Sequence, residues 1–149
     1  MAKSGLGSTC ENLSYLMLRI PLGLIFMAHG SQKLFGLFGG QGVSATMRAF
    51  EENFGIPPLF TILAMLAEFG GGIGVLAGCL TRLSAFGIAC VMGVAVYKVH
   101  WVNGLFLNIT CQSGRGHGFE YNLALLGMAL FLVCAGGGTW TVDRLFWRR

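Results

Sequence analysis

A chain of 149 residues that is 54% hydrophobic and only 11% charged does not have the makeup of a soluble domain, in which about a quarter of the residues carry charge. Its net charge of +4 comes from basic residues scattered singly, apart from Arg144, Arg148 and Arg149. Nucleic acid is therefore excluded as a partner, and the basic C-terminus reads as a cytoplasmic membrane-surface anchor, worth roughly 1 kcal/mol per basic residue beside an anionic leaflet.

The 24 glycines suit helices that pack closely in lipid, and a single domain over residues 1–149 is expected. The first apolar run comes after Lys3, as in a signal peptide, but Arg19 interrupts it and it continues into a polar cluster. A retained transmembrane helix over residues 13–34 is the better reading, long enough for a hydrocarbon core of about 30 Å. Pro21 sits near its start, where a kink is expected.

Residues 36–56 come next. Val43, Met47, Phe50 and Phe54 recur at spacings of four, three and four, with Arg48, Glu51, Glu52 and Asn53 on the other side. That pattern predicts a short amphipathic helix in the membrane interface. Pro57 and Pro58 open a second span, 58–78, as proline does in a first helical turn. Gly70, Gly74 and Gly78 form a small-residue seam along it, and Glu68 lies near its midpoint. The third span, 83–101, carries a second small seam at Ala85, Ala89 and Gly93. A polar loop separates it from the fourth span, 119–136, which ends at three glycines. The expected fold is an all-α integral membrane protein: an antiparallel bundle of four transmembrane helices, with the interfacial helix between the first and second. The weak excess of basic residues at the termini and second loop places both termini in the cytoplasm.

The five cysteines contain no Cys-x-x-Cys, which argues against a membrane thiol oxidoreductase or a zinc site. Cys90 and Cys134 fall in apolar runs and read as small core hydrophobes, whereas Cys111 lies in the polar loop.

Antiparallel threading brings His29, Gln32, Lys33, Lys98, His100, Asn103, Glu120 and Asn122 to one membrane level on the non-cytoplasmic side. His29 and Lys33, four apart, share a helix face. Glu68 lies deeper, and a lone carboxylate there costs about 2.5–3.5 kcal/mol unless it is protonated or paired. Arg19, His29 and Lys33 are within its reach. Two readings stay open. One is a structural polar network, with Arg19, Glu68 and Asn122 locking the helices together. The other is a pocket for an amphipathic ligand, with His29, Gln32, Lys33, Glu68, His100, Asn103 and Glu120 as binding residues. No two ligand-type residues form a metal pair within one helix, so no metal is expected.

The runs Leu18-Arg19 through Ala28-His29-Gly30-Ser31-Gln32-Lys33-Leu34-Phe35-Gly36, Ala67-Glu68-Phe69-Gly70, Leu80-Thr81-Arg82-Leu83, Val99-His100-Trp101 with Asn103-Gly104, and Phe119-Glu120-Tyr121 together resemble the DoxX family, in order over nearly the whole chain. The resemblance implies a four-helix protein of the bacterial inner membrane, linked to quinone-coupled respiration or membrane redox complexes. Quinone is the cofactor it suggests. No residue set here supplies an electron carrier, so catalysis by the chain alone is not expected. The partners implied are the lipid bilayer, other membrane subunits and a second copy of the chain. A non-catalytic scaffold subunit and a small transporter or lipid-handling protein are the alternatives.

Overall fold

The computed structural model describes residues 5–146; the expectations attached to Lys3, Arg148 and Arg149 lie outside them. The elements, in order, are α1 (Gly5–Phe35), α2 (Gly42–Phe54), α3 (Pro58–Ala77), α4 (Thr81–Ala95), α5 (Glu120–Ala135) and the short α6 (Val142–Phe146). No strand occurs among the described residues. Three helices are long and apolar enough to cross a membrane: Ser8–Phe35, Pro58–Ala77, and Thr81–Asn103, in which α4 runs on through a π turn and a 3₁₀ turn. α1 passes through Pro21 as one helix. The expected fourth span forms a helix, α5, but its 16 residues fall just short of the ~17 that a membrane crossing takes.

The outward surface is apolar. Met17 is 68% exposed, Leu83 65% and Phe86 56%, an arrangement stable only where lipid covers those faces. Cys90 and Cys134 belong to the same outward faces. All five cysteines are exposed, which corrects the expectation that these two fill the core. An apolar run on a lipid-facing helix does not distinguish inside from outside, so their direction could not be read from hydropathy.

α1 packs on α3, α3 on α4 and α4 on α5, while α1 and α5 touch only slightly. The shared core is built by Leu22 and Phe26 of α1, Val75 of α3, Ile88 and Met92 of α4, and Leu125 and Leu132 of α5. The α1–α3 contact is closest at three glycines, and a methyl group at Gly30 would lie 2.6 Å from the Phe69 nitrogen. A methyl group at Gly23 would lie 2.9 Å from the Gly72 carbonyl oxygen, and one at Gly72 would lie 2.6 Å from the Met27 nitrogen. Gly74 instead faces α4, where a methyl group would meet Ser84. Gly70 has open space around it, as does Gly93. Of the expected 70–74–78 seam, Gly74 meets Ser84 and Gly78 meets Arg19 and Thr141, but Gly70 meets nothing and α1 is met at Gly72 instead, because α3 is held between α1 and α4 rather than against one partner.

The amphipathic pattern from Val43 to Phe54 forms a helix, α2. Residues 36–41 form a turn, with Phe38 at a positive φ of 53°, and α2 begins at Gly42. Gly55, at φ 61°, ends α2 in the left-handed cap that frees the chain to turn; its N–H reaches the Glu51 carbonyl and that of Ile56 reaches Phe50. Pro58 then starts α3. This tight reversal folds α2 back against α1 and α3.

At the opposite end, Arg19 is 1% exposed. Its guanidinium donates to the carbonyls of Val75 (2.8 Å) and Leu76 (2.9 Å) at the end of α3 and to those of Gly137 and Trp140 after α5. Asp143 of α6 caps α4, accepting from the Leu80 N–H (2.6 Å) and from the Thr81 N–H and hydroxyl (3.1 Å each). Asn12 similarly accepts from the Thr139 N–H at 2.9 Å.

Candidate ligand-binding site

A cavity of 560 Å³ opens between α1, α3, α4 and α5, with α2 along one side. Phe60, Ala64 and Glu68 line it from α3 at four-residue spacing, which places them on one face. His29 and Lys33 do the same from α1. Phe50 and Phe54 of α2 enter as an edge-to-face pair with centroids 5.8 Å apart. On the α4 side the helix changes pitch at Val96–His100. A π turn inserts an extra residue per turn and re-aims the side chains beyond it, and here His100 joins Ala95 and Val99 in the cavity wall.

The wall is mostly apolar, with its charge concentrated in one pair. Lys33 Nζ donates to Glu68 Oε1. The Glu68 side chain is 3% exposed and that of Lys33 24%, so the carboxylate is the desolvated partner and the ammonium keeps some access. Lys33 also lies 5.5 Å from the Phe50 ring centroid, where the aromatic face favours a cation. Glu68 Oε2 is buried and has no hydrogen-bond partner among the described residues. His100 Nδ1 meets the His117 carbonyl at 2.8 Å. A carbonyl only accepts, so Nδ1 carries the proton in that hydrogen bond. Asn122 has only a weak partner in the Met92 sulfur, at 3.6 Å.

Of the residues singled out in the sequence, His29, Lys33, Glu68, His100 and Asn122 therefore line one cavity. Four others at the same level stand outside it. Lys98 is exposed. Gln32 donates to the Phe38 carbonyl at 3.2 Å and holds the turn after α1. Asn103 donates to the His117 carbonyl at 3.2 Å. Glu120 sits half-buried in the first turn of α5, where a carboxylate suits the helix N-terminus. Nor do Arg19, Glu68 and Asn122 form one network: Arg19 is spent on backbone carbonyls at the other end of the bundle. Phe50 and Phe54 belong to the amphipathic helix expected beside the site, whereas Phe60, His117 and Tyr121 are lining that the sequence did not point to. No group of three or more His, Cys, Asp or Glu side chains that could hold a metal ion occurs among the described residues.

The DoxX family model matches residues 14–101. The chain belongs to the DoxX family. It is 30% identical over 140 residues to the inner membrane protein YqjF of Escherichia coli (strain K12), covering 91% of this chain and 93% of that one. It is 29% identical over 141 residues to the uncharacterized membrane protein Rv3486 of Mycobacterium tuberculosis (strain ATCC 25618 / H37Rv), covering 91% and 83%. No solved structure matches the chain. The charged pair, His29 and His100 all lie within the DoxX match, whereas His117, Tyr121 and Asn122 come after it.

Proposed function

We propose that this DoxX-family protein is a multi-pass subunit of the bacterial inner membrane that holds a quinone-like, ring-bearing amphiphile in the cavity beside Lys33 and Glu68. The observation that carries this reading is the combination of an apolar, aromatic-walled cavity with one charged pair inside it. Such a site places a polar head by a few directed groups and leaves the tail in apolar surroundings. His29, Lys33 and His100 address the ring oxygens, and Phe50 and Phe54 cover the ring. The chain is a single membrane domain, α5 completes a fourth crossing with help from its flanking residues, and both termini face the cytoplasm. The redox centre belongs to a partner subunit, and this chain provides the docking place.

The test is binding of a labelled quinone analogue to the purified chain, to His29→Ala and His100→Ala, and to Ala64→Phe, which fills the cavity without touching a polar group. Binding by the wild type, weakened in the histidine variants and abolished in Ala64→Phe, supports the site. No binding by the wild type, or undiminished binding by folded variants, replaces this reading with that of a scaffold subunit. Cysteine labelling checks the topology: Cys111 is expected on the side opposite a tag at either terminus.

A further inference from the structure

The charged pair in the cavity offers a specific pattern of hydrogen-bonding groups. Glu68 is 2% exposed; Oε1 is taken by the Lys33 ammonium, and Oε2 is buried without a partner among the described residues. A carboxylate paired with an ammonium accepts and does not donate. A buried acceptor left unanswered costs its desolvation in full. Lys33 is the complement: it has three protons, only donates, and commits one of them to Oε1. The pair therefore presents an acceptor and a donor side by side.

A ring carbonyl can answer only half of that pattern, because it accepts from Lys33 and has nothing to give Oε2. A hydroxyl answers both, with one O–H to donate and lone pairs to receive. The aromatic wall of Phe50, Phe54, Phe60 and Tyr121 favours a flat ring over an aliphatic head.

Resting on the proposed ring-ligand function, we infer that the cavity selects a hydroxyl-bearing aromatic ring. It takes the reduced, quinol-type state of its ligand in preference to the quinone, and Glu68 is the residue that discriminates. The ring hydroxyl donates to Glu68 Oε2 and accepts from Lys33; this is binding alone, and no covalent bond is made or broken.

The experiment uses the full chain in mild detergent, titrated without oxygen with a decyl-substituted benzoquinol, the matching quinone, the quinol's dimethyl ether and a long-chain alkanol. Wild type should bind the quinol about tenfold tighter than the quinone or the ether, the value of one hydrogen bond to a charged group. In Glu68→Gln the side chain donates as well as accepts, so the quinone should bind as tightly as the quinol or tighter. Equal affinity of wild type for quinol, quinone and ether, or an unchanged preference in Glu68→Gln, overturns the role of Glu68 while leaving a ring-binding site in place. An alkanol that competes as well as the quinol overturns the aromatic class. No binding of any ring compound overturns this inference and the proposed function together. Should Glu68→Gln fail to fold, the wild-type ratio of quinol to its dimethyl ether decides alone.

Discussion

The Arg19 guanidinium donates through Nη1 to the carbonyl of Gly137 at 3.0 Å, joining positions 118 residues apart. The same nitrogen reaches the Trp140 carbonyl at 2.8 Å, and Nε and Nη2 reach Val75 and Leu76. The last carbonyls of a helix have no partner within it. Arg19 of α1 therefore caps α3 from outside and fastens the segment after α5 to the same point. Gly78 leaves room for it, since a methyl group there would sit 2.5 Å from Nη2.

Arg19→Met should thus strand four carbonyls at once. At about 1–3 kcal/mol per unanswered buried group, the loss amounts to several kcal/mol even if water reaches some of them. Arg19→Lys should recover only part, because an ammonium cannot fork toward two helix ends. Thermal unfolding in detergent should rank wild type above Arg19→Lys, and Arg19→Lys above Arg19→Met; equal midpoints for all three would contradict the capping role.

Asp143 makes the adjoining α4 cap dependent on pH. Burial pushes its pKa up, but the hydrogen bonds from Thr81 and Leu80 and the Arg19 charge outweigh it and hold the carboxyl below its ordinary value of 3.8. A carboxyl lowered in the folded state stabilises the fold above its unfolded pKa, and that stabilisation is lost as pH falls through the lowered value. Protection of the Leu80 and Thr81 amides, measured against their intrinsic exchange rates, should therefore be high at neutral pH and fall below about pH 4. In Asp143→Asn it should be lower at neutral pH and lack that acid step. An identical acid step in Asp143→Asn would assign it to another group.

The glycine contacts separate positions that look alike in the sequence. Gly72→Ala places a methyl group against the α1 backbone, where nothing flexible can yield. Gly70→Ala enters open space and removes a helix-interior glycine. Gly72→Ala should lower the unfolding midpoint strongly, at the ~1–3 kcal/mol of an overpacked contact, while Gly70→Ala should be neutral or slightly stabilising. The reverse order would mean that α3 turns a different face to α1.

Hydropathy located the apolar cores of α1, α3 and α4, because a long apolar run has few alternatives in lipid, but α1 begins well before residue 13, at Gly5. It placed the fourth span, 119–136, within one residue of α5 at either end, and Gly118 and Phe119 before it are tied back by backbone bonds to Phe106 and Gly104. Depth along the bundle was also legible, and it grouped His29, Lys33 and His100. Direction around each helix was not. Gln32 and Lys33 are adjacent in sequence yet about 100° apart around a helix, and only Lys33 reaches the cavity. The Arg19 anchor and the Asp143 cap use backbone carbonyls and amides, which every residue type supplies, so no sequence pattern announces them.

The Lys33–Glu68 pair should respond asymmetrically to the loss of each partner. Lys33→Met leaves a carboxylate of 3% side-chain exposure without its counter-ion, and breaking a buried pair this way costs about 3–5 kcal/mol. Glu68→Leu leaves an ammonium that is 24% exposed and can turn toward water, a smaller loss. Glu68→Gln keeps an oxygen acceptor for Lys33 and should be milder still. The double variant Lys33→Met/Glu68→Leu buries no charge, and an apolar pair often replaces a buried ion pair without loss. It should therefore be at least as stable as Lys33→Met alone, so that the two substitutions are clearly non-additive. A double-mutant cycle of unfolding midpoints in detergent, read alongside ligand binding, checks both the coupling of the pair and its purpose. Recovered stability with lost binding means the pair serves the ligand. Recovered stability with retained binding means the cavity recognises its occupant without these charges. Simple additivity of the two losses would show that Lys33 and Glu68 do not depend on each other.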